Sequence, residues 1–192
     1  MLKNAIIICS ALLMSGFTTR IEQPTRVSDF SLEDYNGIKH SLSDYRDSKA
    51  IVLMFIATQC PVSNAYNERM VKLDEDYAAK GIAFVGINAN RQEGIQEIAR
   101  HAKEHGFGFP VLRDVDNRVA DAYDAQVTPE IFVIDSLGTL RYHGRIDDSR
   151  DIGGVHTQDL RLALDALLGG KDVPRAETKA FGCSIKRVKS SS

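Results

Sequence analysis

The chain is 192 residues long, 43% hydrophobic and 26% charged, enough for one domain with one sizeable core and too apolar to be disordered throughout. Its 24 basic and 26 acidic residues leave a formal net charge of −2, so there is no electrostatic footprint for nucleic acid. Three cysteines and a mean hydropathy of −0.20 exclude a disulfide-dense mini-protein, a Cys-rich zinc site and a polytopic membrane protein.

The N-terminus has the layout of a secretory signal: Lys3, an apolar run over residues 5–14 (AIIICSALLM), then Ser15, Gly16, Thr18 and Thr19. The run is shorter than the roughly 20 residues of a spanning helix. Residues 1–19 are therefore expected to act as an export signal, with a retained anchor or a buried helix as alternatives. Export leads to an extracytoplasmic space such as a bacterial periplasm, and Cys9 leaves with the signal. The mature chain keeps Cys60 and Cys183, which can pair in one way only within a chain. Residues 20–27, with Pro24, read as a linker, residues 28–170 as the domain, and residues 171–192 as a tail without periodicity.

Asn36-Gly37 between two short alternating runs predicts a β-hairpin. Residues 50–57 (AIVLMFIA) form a continuous apolar, β-branched run, expected as a strand buried on both faces. A helix should begin at Cys60-Pro61, because proline is favoured at the first helical position. Its inner face is Tyr66, Met70, Leu73 and Tyr77, and Lys80-Gly81 ends it. A second buried strand (82–88), a helix (94–105), a short strand (109–112) and a short helix (116–123) follow. Residues 131–135 and 139–143 predict a second hairpin, and residues 157–168 a last amphipathic helix. This order is an α/β architecture: a central mixed sheet flanked by helices.

Cys60 carries the chemistry. At a helix start, unpaired N–H groups and the helix dipole stabilise an anion by ~0.3–1 kcal/mol or somewhat more. That moves a thiol down from about 8.5, and the thiolate is the nucleophile. The alternative is an inert core cysteine. The Ser63 hydroxyl can hydrogen-bond such a thiolate or simply serve the helix start. Glu130 can transfer protons or lie exposed at a strand mouth. Thr128-Pro129 precedes a strand, and from the residues alone a trans bond is the ordinary expectation. Asp147, Asp148, Asp151 and His156 read as a solvated loop, His101 and His105 as a surface pair, and Asp114, Asp116 and Asn117 as no calcium loop, so no metal site is expected.

Phe55-x-Ala57-x-x-Cys60-Pro61-x-Ser63 followed by Thr128-Pro129 resembles the thioredoxin superfamily. Asp29-Phe30-x-Leu32, Gly37 and Leu42-Ser43-Asp44-Tyr45 are similar to its redoxin branch, which holds the AhpC/TSA (peroxiredoxin-like) and TlpA/ResA-like proteins. Tyr142 to Asp148 and Phe181 to Arg187 resemble an exported peroxiredoxin-like group. The resemblance implies a thioredoxin-like fold with an N-terminal hairpin and the redoxin insertion at 94–112. It also implies a cis Pro129 facing Cys60, thiol chemistry at Cys60, and no cofactor. Thr128, Pro129 and Gln59 would meet the substrate. Ser63 stands where dithiol members have a second cysteine, Ala57 where peroxiredoxins have Thr or Ser, Met54 where thioredoxin has a buried acid, and Gln59 where it has Trp. Cys183 is then a resolving thiol, a structural link to Cys60, or a lone thiol. The implied activity is thiol–disulfide exchange with protein or small-molecule thiols and disulfides, sustained by an external reductant. A thiol peroxidase and a non-catalytic module binding a partner or a metal are the alternatives.

Overall fold

The computed structural model describes residues 26–188; the expected signal, Cys9 and most of the linker lie outside the described residues. The apolar run after Lys49 forms β3 (Ala50–Phe55), in which every residue is buried. It lies between β4 (Ile82–Asn88), to which it is parallel, and β7 (Glu130–Asp135), to which it is antiparallel. The hairpin strands β1 (Ser31–Asp34) and β2 (Lys39–Ser41), with β5 (Val111–Arg113) and β8 (Leu140–Gly144), complete a mixed sheet of order β2-β1-β5-β4-β3-β7-β8. The first turn closes as its Asn-Gly pair predicts: Gly37 has φ +78°, and Asp34 Oδ1 accepts the N–H groups of Asn36 and Ile38.

Successive β3 side chains point to opposite faces. Val52 and Met54 join Tyr66, Met70, Ile98 and Leu164 in one core, whereas Ile51, Leu53 and Phe55 join Ile87, Val119 and Phe132 in the other. The helices are α1 (Pro61–Asn64), α2 (Asn67–Tyr77), α3 (Ile95–Glu104), α4 (Arg118–Ala122) and α5 (Asp159–Leu168). Among the described residues, no helix is long and apolar enough to cross a membrane.

Two expectations need correction. The helix that starts at Pro61 is not continuous: the Tyr66 N–H returns to Ser63 O in a tighter turn, and Arg69 Nη2 takes the Ala65 carbonyl at 3.1 Å. Nor is 147–156 simply a solvated loop. Asp147 is buried, bonded to Arg69 Nη1 at 2.7 Å and to the Tyr66 hydroxyl at 2.9 Å, and Asp148 Oδ1 accepts the N–H groups of His156 and Thr157. Asp114 likewise serves the backbone, accepting the Val119 and Ala120 N–H groups that open α4.

Within the described residues, the aperiodic tail is pinned to the domain by backbone pairing. Its strand β9 (Cys183–Ser184) pairs antiparallel with β6 (Val127–Thr128), with Cys183 opposite Thr128. Backbone bonds add to this: Ile185 N–H to Gln126 O, Arg91 N–H to Lys186 O, His143 N–H to Ala176 O and Thr178 N–H to His143 O.

Candidate active site

Cys60 occupies the cap position of α1, directly after the loop that leaves β3, and is 4% exposed. Its sulfur lies 3.3 Å from the Ser63 N–H donor and 3.3 Å from Thr128 O. The structure brings Cys60, Thr128, Pro129 and Cys183 together. The Thr128–Pro129 peptide is cis, and Cys60 and Cys183 form a disulfide with a Cα–Cα distance of 6.0 Å, within the ordinary range for such bonds. Cys183 is the less buried of the two. Gly182 lets the tail come this close: a Cβ there would run into the Thr128 carbonyl and Pro129 N.

Ser63 reaches the sulfur through its backbone, not its hydroxyl. Its Oγ accepts the Ala57 N–H at 3.1 Å, tying the helix start to the end of β3. Because α1 is a single turn, the anion stabilisation expected from a long helix reduces mainly to this local amide.

Glu130 is not an exposed strand-mouth residue. It is 4% exposed, with Oε1 2.7 Å from His143 Nε2 and Oε2 accepting the Gln126 and Val127 N–H groups at 2.7 and 3.0 Å. Burial alone would raise its pKa, but the His143 contact and the two amides outweigh it and hold the carboxyl below its ordinary range. It is therefore an ionised acceptor that braces the strand before Pro129. Gln59 is exposed at the rim, and its side chain donates to Glu97 Oε1 at 2.9 Å. The Thr58 hydroxyl donates to the same oxygen at 2.6 Å. This bond, against the opposing effect of partial burial and aided by Gln59, holds Glu97 below the usual carboxylate range.

Other residues at the site escaped sequence reasoning. Glu93, fully buried, accepts the Thr58 and Gln59 N–H groups at 2.7 and 3.2 Å, and the side-chain amides of Asn88 and Asn90 at 2.6 and 3.0 Å. The available signal was polar: Asn88, Asn90 and Glu93 follow directly on an apolar strand, where a water-seeking group needs partners. His101 is half-buried rather than a surface residue. Its Nε2 is 2.9 Å from Asn64 Oδ1, and Asn64 donates to Thr58 O at 2.8 Å. Burial, aided by the neighbouring His105, pushes the His101 pKa down. Among the described residues, no group of three or more His, Cys, Asp or Glu side chains is placed to hold a metal ion.

The geometry is that of a thiol pair beside a cis-proline corner, and the family model for AhpC/TSA matches residues 25–143. The chain belongs to the AhpC/TSA family. As a redoxin of the thioredoxin superfamily it has the expected fold: a crystal structure of peroxidoxin BcpB from Mycobacterium tuberculosis superposes with a TM-score of 0.62 at 24% identity, covering 77% of this chain and 96% of that one. More similar is a hypothetical protein of Sinorhizobium meliloti 1021, 39% identical with a TM-score of 0.81, covering 88% of this chain and 96% of that one. The thiol-disulfide oxidoreductase ResA of Bacillus subtilis (strain 168) is 32% identical over 122 residues, 62% of this chain and 65% of ResA, so the chain spans just under two thirds of that relative. The AhpC/TSA match stops at His143, before the tail that carries Cys183.

Proposed function

We propose that the chain is a thiol–disulfide oxidoreductase in which Cys60 is the nucleophile and Cys183 the resolving thiol. The observation that carries this is the bond between the two sulfurs at the Thr128–Pro129 corner, with the Ser63 N–H directed at Cys60. In the reduced protein, the Cys60 thiolate attacks one sulfur of a substrate disulfide and the other leaves as a thiolate. The resulting mixed disulfide is attacked at Cys60 Sγ by the Cys183 thiolate, which expels the second substrate thiolate and closes the Cys60–Cys183 bond. Two electrons pass to the substrate, and an external thiol reductant returns them. Gln59, Thr128 and Pro129 line the approach, and Glu130 holds the strand that presents Thr128.

A thiol peroxidase is the second reading of the same cysteine. Two features weigh against it: Ala57 offers no hydroxyl to a peroxide, and the Ser63 hydroxyl is engaged by the Ala57 N–H. The signal-like residues 1–19 support work in an oxidising, extracytoplasmic compartment, where a disulfide persists. The deciding experiment is turnover of a small aromatic disulfide and of hydrogen peroxide, each with excess dithiothreitol, by the wild type, Cys60→Ser and Cys183→Ser. Disulfide turnover should fall roughly a hundredfold or more in Cys60→Ser, and Cys183→Ser, pre-reduced and then mixed with the disulfide without dithiothreitol, should accumulate a mixed disulfide on Cys60. Undiminished turnover in Cys60→Ser would overturn the proposal, and preferential consumption of peroxide would favour the second reading.

A further inference from the structure

Glu93 is a carboxylate with no exposure to solvent and, among the described residues, no cationic partner; its acceptors are filled by four neutral N–H donors. Burying an unpaired charge is costly, so its partners have to be well made. Two of them are the backbone amides of Thr58 and Gln59, immediately before Cys60. A third is the side chain of Asn90, whose Oδ1 accepts the Lys186 N–H at 2.7 Å. The Arg91 N–H bonds Lys186 O at 2.9 Å, so both backbone polar groups of Lys186 are held. Lys186 lies just beyond Cys183 in the tail. One buried node thus holds the segment that carries each sulfur.

We propose that Glu93 and Asn90 are positioning residues that keep the Cys60 loop and the Cys183 segment in register, so that the two thiols face each other at high effective concentration. This inference rests on the thiol–disulfide reading of Cys60 and Cys183. Pre-alignment in the dithiol form favours closing the bond, because little freedom is lost when it closes. Weakening the node makes the disulfide easier to reduce. A purely structural role would lower the stability of the oxidised and reduced forms alike and leave their ratio unchanged.

The test equilibrates the full chain with glutathione buffers and reads the oxidised-to-reduced ratio for the wild type, Asn90→Ala and Glu93→Gln. Ala163→Gly, a helix-weakening change inside α5, serves as a control for general destabilisation. The oxidation constant should fall about tenfold in Asn90→Ala, equivalent to about 30 mV for a two-electron couple, and stay at the wild-type value in Ala163→Gly. A fall of less than about threefold, or an equal fall in the control, would overturn the proposal. Should the node variants not fold, hydrogen exchange on reduced wild type decides. Protected Thr58 and Lys186 amides support the node, and free exchange at both after reduction overturns it. If the wild type shows no reversible equilibrium with glutathione at all, the fault lies with the thiol–disulfide reading instead.

Discussion

The two cysteines are held in place by different physics. Cys60 follows the short loop that leaves β3, whose side chains fill both cores, and its position rests on that packing together with the bonds from the loop to Glu93. Cys183 sits in a segment with few buried apolar side chains, Ile185 being one, and is held mainly by main-chain hydrogen bonds to 90–91 and 126–128. Packing is spread over many contacts and fails only when a large volume is removed. A strip of backbone pairing fails when any one close approach is spoiled. The same bond therefore joins a rigid donor of position to a conditional one.

The largest effect should come from the packed side. Phe55 is fully buried, with its ring 5.6 Å from that of Phe132, and Phe55→Ala should lower the unfolding free energy by about 3–5 kcal/mol in urea. Reduction of the disulfide comes next. The bond closes a span of 123 residues, and its loss in Cys183→Ser should lower stability by about 2–5 kcal/mol relative to the oxidised protein. Denaturation of oxidised wild type, reduced wild type and the variant side by side separates the cross-link from the tail's own bonds. If all three agree, the bond adds nothing to the docked tail and the contrast drawn above breaks.

Gly182→Val probes the conditional side, since its side chain would collide with the Thr128 carbonyl and Pro129 N. The expected cost is about 1–3 kcal/mol, confined to the tail. It should show as faster proteolysis near the C-terminus, with the unfolding midpoint of the reduced protein little changed.

The smallest effect is pH-dependent. Glu130 has its folded pKa below the ordinary 4.5, so the stability it adds is complete above that value and is lost as pH falls through the lowered one. Urea midpoints followed between about pH 2 and pH 6 should therefore fall less steeply in Glu130→Gln than in wild type, with a loss of about 1–2 kcal/mol near neutrality. Equal slopes would mean that the carboxylate does not brace the Gln126–Thr128 backbone.

The same contrast explains what was legible in the sequence. Residues 50–57 and 82–88 announce buried strands because apolar side chains leave a pattern, and the Cys60-Pro61 helix start follows from proline's missing N–H. The β9 pairing leaves no such mark, because backbone hydrogen bonds are made by every residue type, and only Gly182 hints at a close approach. Glu93 itself and the burial of Glu130 were hidden for a related reason. A carboxylate is ordinarily exposed, and it can be buried only if distant segments supply donors that one-dimensional periodicity does not bring together. The break between α1 and α2 depends on Arg69 capturing the Ala65 carbonyl, again a choice among partners rather than a pattern.

While the tail is seated, the hydrogen-bonding rim of Val127 and Thr128 beside the cis-proline is already occupied by the protein's own last strand. A polypeptide pairing along this edge would first have to displace β9.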